Sequence, residues 1–299
     1  MNATNGVIRS VERAPLARPA AGAPVAAFTV DVEDWYQSCI DRDAPITERV
    51  VRNTARIVDV LDGLAVKGTF FVQGRVAETF PGLVRDLVAR GHEVQSHGHS
   101  HVSLYELDRD GLREELHRAR ATVEDAGGAP VTAFRAPDFS ILSGNLWALE
   151  VLAETGFTTD SSIFPTRSRH YGISGWELGP HHLELANGAR MLEVPVAVWS
   201  LAGRVRLPVA GGGYFRFLPR PVLQRGLEAI AADGRPAVVY CHPYEFSRRE
   251  LDDYRGRISP VLRHSQTIGR GRFVQRLEAL MRALPFGRFD RVLAQGGLA

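Results

Sequence analysis

The chain has 299 residues, of which 44% are hydrophobic and 23% charged, and a net charge of only +2. This composition is that of an ordinary soluble globular protein with enough apolar material for a sizeable core. The near-neutral charge gives no reason to expect a nucleic-acid partner, and no apolar run approaches the ~18 residues of a membrane span. Its two cysteines, Cys39 and Cys241, are too far apart to suggest a disulfide framework.

The first 24 residues are rich in Ala, Pro and Arg and contain no continuous apolar stretch. They do not have the pattern of a secretory signal. We therefore expect residues 1–24 to be a disordered leader and the protein to be cytoplasmic.

From residue 25 onward, predicted strands and helices alternate with short connections. The strands are predicted at residues 25–30, 68–72, 92–95, 131–134, 157–160 and 237–241, and the helices at 47–64, 81–90, 108–125, 145–155 and 219–232. Such alternation predicts an α/β fold with a parallel sheet and crossover helices. Because polar residues follow strand after strand, we expect the sheet to close into a barrel.

The amino-acid composition changes after residue 164, where Gly, Pro, His and aromatic residues become frequent. This part contains a predicted strand at 191–196 and three consecutive glycines at 211–213. The glycines indicate unusual backbone angles or the close approach of a ligand, although the Gly-Lys-Ser/Thr of a phosphate-binding loop does not follow. We place a barrel domain at 25–246 and a charged, helical extension at 247–299, whose amphipathic helix at 273–284 should pack on the barrel exterior.

Three of the ten histidines lie within residues 96–101. His97 and His101 are four residues apart, so a helical turn or a tight loop would point both rings to the same side. Two such imidazoles can bind one divalent metal; a solvated, His-rich turn is the alternative. His99 would point away from the pair if the segment were helical.

Other predicted strand ends also carry reactive side chains. They are Asp31, Glu33 and Asp34, then Arg135, Asp160 and His242. Unpaired charges are costly in a core, so we expect these groups to meet at one barrel mouth. A carboxylate with two histidines leaves an open position on a metal, as in catalytic zinc sites. With a second carboxylate as base, an arginine beside it and a histidine as acid, the set predicts hydrolysis of an amide or ester.

In this order along the chain, the motifs resemble those of the polysaccharide deacetylases of carbohydrate esterase family 4. The matching segments are residues 29–34, 68–72, 96–101, 135–139, 160–162 and 241–243. The resemblance covers about residues 25–246. Residues 211–216 and 242–246 are similar to the C-terminal portion of the branch of this family that is associated with bacterial exopolysaccharide export clusters.

The resemblance implies a distorted (β/α) barrel of about seven parallel strands and a divalent metal, usually zinc. It implies that Asp31 is the base, that Arg135 orients this base and that His242 is the acid. It also implies that His97 and His101 bind the metal.

The third metal ligand stays open between two residues. Asp34 matches the family by residue type, whereas Glu33 would share a strand face with Asp31; we give Asp34 a slight preference. Asp160 would either orient His242 through a hydrogen bond or cap the turn at residues 161–162. Tyr214, beside the glycines, and Pro137 are expected to contact the substrate.

The resemblance implies an enzyme that removes N-acetyl groups from N-acetylhexosamine units of a bacterial exopolysaccharide or its precursor. An allantoinase-like cyclic-amide hydrolase is one alternative, favoured by a small closed pocket rather than an open groove. A catalytically inactive sugar-binding barrel is another, although binding alone does not require Asp31, Arg135 and His242 together. A homo-oligomer stays open.

Overall fold

A computed structural model describes residues 6–16, 20, 22–168 and 171–298. Its strands are β1 (Ile8–Arg13), β2 (Ala26–Val32), β3 (Thr69–Val72), β4 (Glu93–Ser96), β5 (Ala133–Phe134), β6 (Thr159–Asp160), β7 (His181–Leu185), β8 (Arg190–Glu193), β9 (Val198–Leu201), β10 (Val205–Pro208), β11 (Ala237–Cys241) and β12 (Phe286–Gly287). The α-helices are α1 (Trp35–Cys39), α2 (Glu48–Gly63), α3 (Gly74–Thr79), α4 (Pro81–Ala89), α5 (Arg109–Gly127), α6 (Ala148–Glu154), α7 (Gly213–Phe217), α8 (Arg220–Ala232), α9 (Pro260–Thr267), α10 (Phe273–Ala283) and α11 (Phe289–Gln295). Short 3₁₀ turns cover Leu104–Glu106, Pro137–Phe139, Pro243–Phe246, Asp252–Tyr254 and Arg270–Arg272.

One large sheet organises these elements, in the order β1-β7-β8-β6-β5-β4-β3-β2-β11, with β12 added beside β2. The seven strands from β8 to β11 in this order are all parallel. Their side chains are almost entirely buried, as expected where helices cover a parallel sheet. The predicted α/β fold with parallel strands is confirmed.

The segment between β8 and β11 brings the two ends of the parallel run together. The backbone N–H of Ala197 donates to Val238 O at 2.8 Å, and Tyr240 N–H donates to Ala210 O at 2.7 Å. Gly211 forms a bridge with Tyr240 and has a φ of +142°. A Cβ at this position would overlap the backbone of Tyr240. Gly211 is therefore explained by close approach to the protein's own strand β11.

The amino-terminal region contains an ordered strand. β1 pairs antiparallel with β7 at the outer edge of the sheet, with Val11 opposite Leu183. The prediction of a disordered leader is wrong for Ile8–Arg13, because backbone hydrogen bonds to an existing strand edge add a strand whose own sequence is mostly polar. Residues 1–5, 17–19 and 21 of the predicted leader lie outside the described residues.

The carboxyl-terminal region contributes to the sheet as well as to its exterior. α10 buries Phe273, Leu277 and Leu280 and packs on α7 and α8. β12 then pairs with the start of β2, and the N–H of Phe289 donates to Thr69 Oγ1 at 2.8 Å. The extension thus reaches the end of the sheet opposite the strand carboxyl ends. Across the described ranges, no helix is both long and apolar enough to span a membrane.

Candidate active site

His97 and His101 lie in a tight loop that leaves the carboxyl end of β4. Gly98 and His101 both have left-handed backbone angles, with φ of 71° and 65°. Glu115 of α5 holds the loop by accepting hydrogen bonds from the N–H groups of His99 and Ser100 at 2.8 and 2.7 Å. The loop places the centroids of the two imidazole rings 5.5 Å apart. His99 points toward Glu78 instead, with its Nε2 3.6 Å from Glu78 Oε2.

Glu33 completes a buried three-residue cluster with these histidines. The potential ligand atoms of Glu33, His97 and His101 all lie within 4.8 Å of one another, and Glu33 Oε2 is 3.4 Å from His97 Nε2. Glu33 Oε2 also forms an ion pair with His101 Nε2. The three side chains come from the end of β2 and from the loop after β4, two strands of the sheet that both pair with β3.

The donor set of this cluster fits a divalent cation. His97 Nδ1 lies 2.9 Å from the carbonyl oxygen of Arg135, an arrangement that requires the proton on Nδ1. In the neutral ring, Nε2 then carries a lone pair and faces the carboxylate oxygen of Glu33. Two hydrogen-bond acceptors therefore lie next to each other in a buried position. Nitrogen and carboxylate oxygen are ligands that zinc prefers, and the cluster is a potential metal site.

The electrostatics of the cluster also favour a positive charge at this place. Burial by itself raises the pKa of Glu33, but the charge and hydrogen bond of His101 and the hydrogen bond of His97 outweigh it and hold the pKa well below its usual value. Burial by itself lowers the pKa of His101, but Glu33 outweighs it and raises the pKa. A proton on the imidazole or a bound cation would satisfy the same carboxylate.

Asp34 lies apart from the histidines. It is the N-cap of α1 and accepts a hydrogen bond from Tyr36 N–H at 3.1 Å. Its second oxygen accepts from the N–H of Thr47 at 2.9 Å. The structure thus places Glu33, and not the preferred Asp34, beside the two histidines. Side chains alternate along a strand, so Glu33 follows the face of Asp31 while Asp34 begins the next helix.

Arg135 forms a buried hydrogen bond with Asp31. The guanidinium is completely buried, and its Nη1 donates to Asp31 Oδ1 at 2.8 Å and to Thr29 Oγ1 at 2.7 Å. Nη2 donates to Ser161 Oγ at 3.1 Å. With its donors fixed on several elements, Arg135 holds the carboxylate in one orientation.

His242 follows β11 and lies against Glu245. A single carboxylate oxygen of Glu245 accepts from His242 N–H at 3.1 Å and from the ring Nδ1 at 3.2 Å. Tyr244 stacks on the ring, with centroids 4.8 Å apart. Burial by itself lowers the pKa of His242, but the hydrogen bond to Glu245 and the charges of Glu33, Glu245 and Asp31 outweigh it and raise the pKa to about 9.

Asp160 makes its hydrogen bonds with Ser162 and not with His242. Its two oxygens accept hydrogen bonds from the hydroxyl and the N–H of Ser162, so the contacts show the turn-capping role and not the orientation of His242. Glu193 of β8 lies beside Asp160, and both carboxyl groups are fully buried. Burial raises the pKa of both carboxyl groups, and the neighbouring Asp160 raises that of Glu193 further.

One cavity of about 480 Å³ brings the reactive groups together. Its lining includes Asp31, Glu33, His97, His101 and His242, together with an aromatic wall of Tyr105, Phe139, Tyr171, Tyr240 and Tyr244. A hollow of about 140 Å³ shares Cys39, His101 and Asp138 with the cavity. Another of about 420 Å³ shares Tyr171.

The two residues expected to contact substrate are not on the cavity wall. The hydroxyl of Tyr214 lies 3.4 Å from that of Tyr171, and it is Tyr171 that lines the cavity. Pro137 packs beside Gly98 and supports the histidine loop. Asp138 and Phe139 line the cavity instead, on backbone with φ of 56° and 50°. Their motif was visible in the sequence, but this left-handed turn, which decides the direction of the side chains, was not.

Comparisons with known proteins define the class. Residues 22–159 match the family described as Polysaccharide deacetylase, and residues 161–294 match a Domain of unknown function, DUF3473. Residues 22–159 thus match a polysaccharide deacetylase domain, and the resemblance to carbohydrate esterase family 4 is confirmed for this part of the chain.

Individual relatives match over part of their length. The chain is 33% identical over 98 residues to a peptidoglycan-N-acetylglucosamine deacetylase of Bacillus cereus, covering 32% of this chain and 36% of the relative. It is 40% identical over 85 residues to a chitooligosaccharide deacetylase of Sinorhizobium fredii, covering 28% of this chain and 40% of the relative. The crystal structure of a proposed polysaccharide deacetylase from Mycobacterium smegmatis aligns over 95% of both chains with a TM-score of 0.58 and 20% identity, and is similar in fold.

The two matched regions meet inside one sheet. Their boundary falls at β6, whose neighbours β5 and β8 belong to different regions. The first region contributes Asp31, Arg135 and the potential metal ligands. The second contributes His242 and most of the aromatic wall, so the region of unknown function completes the same cavity.

Proposed function

We propose that this protein is a metal-dependent deacetylase that removes N-acetyl groups from N-acetylhexosamine units of a bacterial exopolysaccharide or its precursor. The observation that carries the proposal is the shared cavity. Asp31, held by Arg135, and His242, held by Glu245, both line it together with the Glu33–His97–His101 cluster.

The cluster of Glu33, His97 and His101 would hold the metal, and its mixed nitrogen and oxygen donors favour zinc. When bound, such an ion lowers the pKa of a water molecule and polarises a carbonyl group.

The remaining chemistry belongs to side chains of this chain. Asp31 takes a proton from the attacking water, whose oxygen bonds to the acetyl carbon. The bond from that carbon to nitrogen breaks, and His242 donates a proton to the leaving amine. A pKa of about 9 keeps His242 protonated at neutral pH, as this acid role requires. The products are acetate and a free amino sugar.

The surroundings of the cavity favour a glycan over a small cyclic amide. Adjoining hollows share walls with the cavity on the side of Tyr171 and on the side of Cys39 and Asp138, which provides room for neighbouring sugar units. Tyrosine faces suit stacking on sugar rings. The named activities of the relatives from B. cereus and S. fredii agree with an N-acetylated sugar substrate.

Acetate release from zinc-loaded protein tests the proposal. We expect acetate from N-acetylglucosamine oligomers, and loss of that activity in Asp31→Asn with zinc content retained. Ring opening of allantoin without acetate release from any N-acetylated glycan would favour the cyclic-amide hydrolase. Oligomer binding with no turnover would favour the inactive sugar-binding barrel.

A further inference from the structure

The partner of His242 comes from the region of unknown function rather than from the deacetylase motifs. The sequence suggests only Asp160 as a partner of His242. Asp160 is bonded to Ser162 and lies beside Glu193. Glu245 instead contacts His242 at both its backbone N–H and its ring Nδ1.

The position of Glu245 is fixed by its own surroundings. Its side chain is 2% exposed and lies in the 3₁₀ turn Pro243–Phe246, which packs against α2. Its other oxygen, Oε1, lies 3.5 Å from Arg216 Nε of α7. A cation therefore lies on each side of this carboxylate, His242 on one and Arg216 on the other, and burial limits solvent screening of both interactions.

The contact with Glu245 determines which ring nitrogen of His242 can react. A carboxylate only accepts hydrogen bonds, so Nδ1 must donate, and Nε2 is the nitrogen left for the cavity. Tyr244 stacks on one face of the ring, and Tyr240 stands at 90° to it with centroids 5.6 Å apart. The acid thus has one orientation and one available proton position.

Resting on the proposed deacetylase activity, we propose that Glu245 is the positioning residue for the acid His242 and that Arg216 holds Glu245 in place. The region matched by DUF3473 would then supply both the acid and the carboxylate that orients it. Asp160 would serve the buried turn beneath Arg135 instead.

The test compares Glu245→Gln with the matched control Glu250→Gln in zinc-loaded protein. Glu250 is also a buried glutamate of this segment, but its carboxylate accepts from Asn53 Nδ2 at 2.8 Å. We expect Glu245→Gln to lower kcat by about 10–100-fold with KM changed less than about two-fold, as typical for residues that orient a reacting group. Glu250→Gln should leave both values near wild type.

Proton and nitrogen NMR of the His242 ring gives a readout that needs no turnover. In wild type we expect a protected, downfield Nδ1–H signal, identified by its loss in His242→Asn. It should move upfield or broaden away in Glu245→Gln and persist in Glu250→Gln. If Glu245→Gln does not fold, Glu245→Asp, which keeps the charge but shortens the side chain, should weaken the same signal.

The outcomes separate the two proposals. A ring signal and a kcat that Glu245→Gln leaves unchanged would overturn the role of Glu245. A ring signal that responds as expected in a protein that releases no acetate from any N-acetylated glycan would support the Glu245–His242 contact and overturn the proposed function.

Discussion

Arg135 and Asp31 form a hydrogen-bonded ion pair of 2.8 Å in which the arginine is wholly buried and the aspartate is 2% exposed. The two residues are more than a hundred positions apart in the chain and come from β2 and the end of β5. Removing one partner of such a pair leaves an uncompensated buried charge. The stability of the fold and the orientation of Asp31 therefore depend on one contact.

The first prediction concerns Arg135→Met. We expect the free energy of unfolding to fall by about 3–5 kcal/mol, because Asp31 would remain charged or have to take up a proton. Urea unfolding monitored by circular dichroism measures this change. The control is Arg52→Met, which removes an exposed pair with Glu48 and should cost less than about 1 kcal/mol. Equal losses in the two variants would contradict the expected burial effect.

The second prediction separates Glu33 from Asp34. We expect Glu33→Gln to weaken zinc binding at least about ten-fold, since it removes the carboxylate that faces both histidines. Asp34→Ala should bind zinc like wild type and instead lower stability by about 1 kcal/mol through the lost helix cap. Chelator competition and thermal unfolding measure the two effects. Loss of zinc from Asp34→Ala but not from Glu33→Gln would show that the assignment is reversed.

The third prediction concerns pH. The pKa of His242 is raised to about 9, above the value of about 6.5 for an unfolded histidine. The folded state therefore binds this proton more tightly, and the resulting stabilisation is fully present below about pH 6.5 and is lost as pH rises through about 9.

Urea unfolding of the metal-free protein across this range checks the prediction. The difference in stability between wild type and His242→Asn should shrink from about pH 6.5 to about pH 9. In Glu245→Gln, the pH at which this stabilisation is lost should be lower than in wild type. A difference that stays constant or grows with pH would have the wrong sign.

The fourth prediction concerns the glycine run. We expect Gly211→Ala to destabilise the protein by about 3 kcal/mol, because its φ is +142° and its Cβ would overlap the Tyr240 backbone. Gly213→Ala is the matched control, since Gly213 begins α7 and the nearest atoms to its Cβ are 3.8 Å away. Gly213→Ala should change the free energy of unfolding by no more than about 0.5 kcal/mol. Similar stabilities for the two variants would show that the closing segment tolerates a side chain there.

The predicted elements of the parallel sheet agree with the structure because their signals are local. Apolar runs such as residues 68–72 and 237–241 mark buried strands, and β3 and β11 lie within them. The order of His97, His101, Arg135 and His242 after strand ends placed them at one edge of a parallel sheet. β1 could not be predicted, since its pairing with β7 depends on an edge that exists only after folding.

The sequence by itself determined the kind of fold and the chemical groups of the site, because strand alternation and residue type are local properties. Only the tertiary structure decided which neighbour faces the histidines and which carboxylate contacts His242. Glu33 and Asp34 differ by one position, and the direction of each side chain depends on where β2 ends and α1 begins. Asp160 and Glu245 are chemically alike, and their distances to His242 are set by packing between segments far apart in the chain.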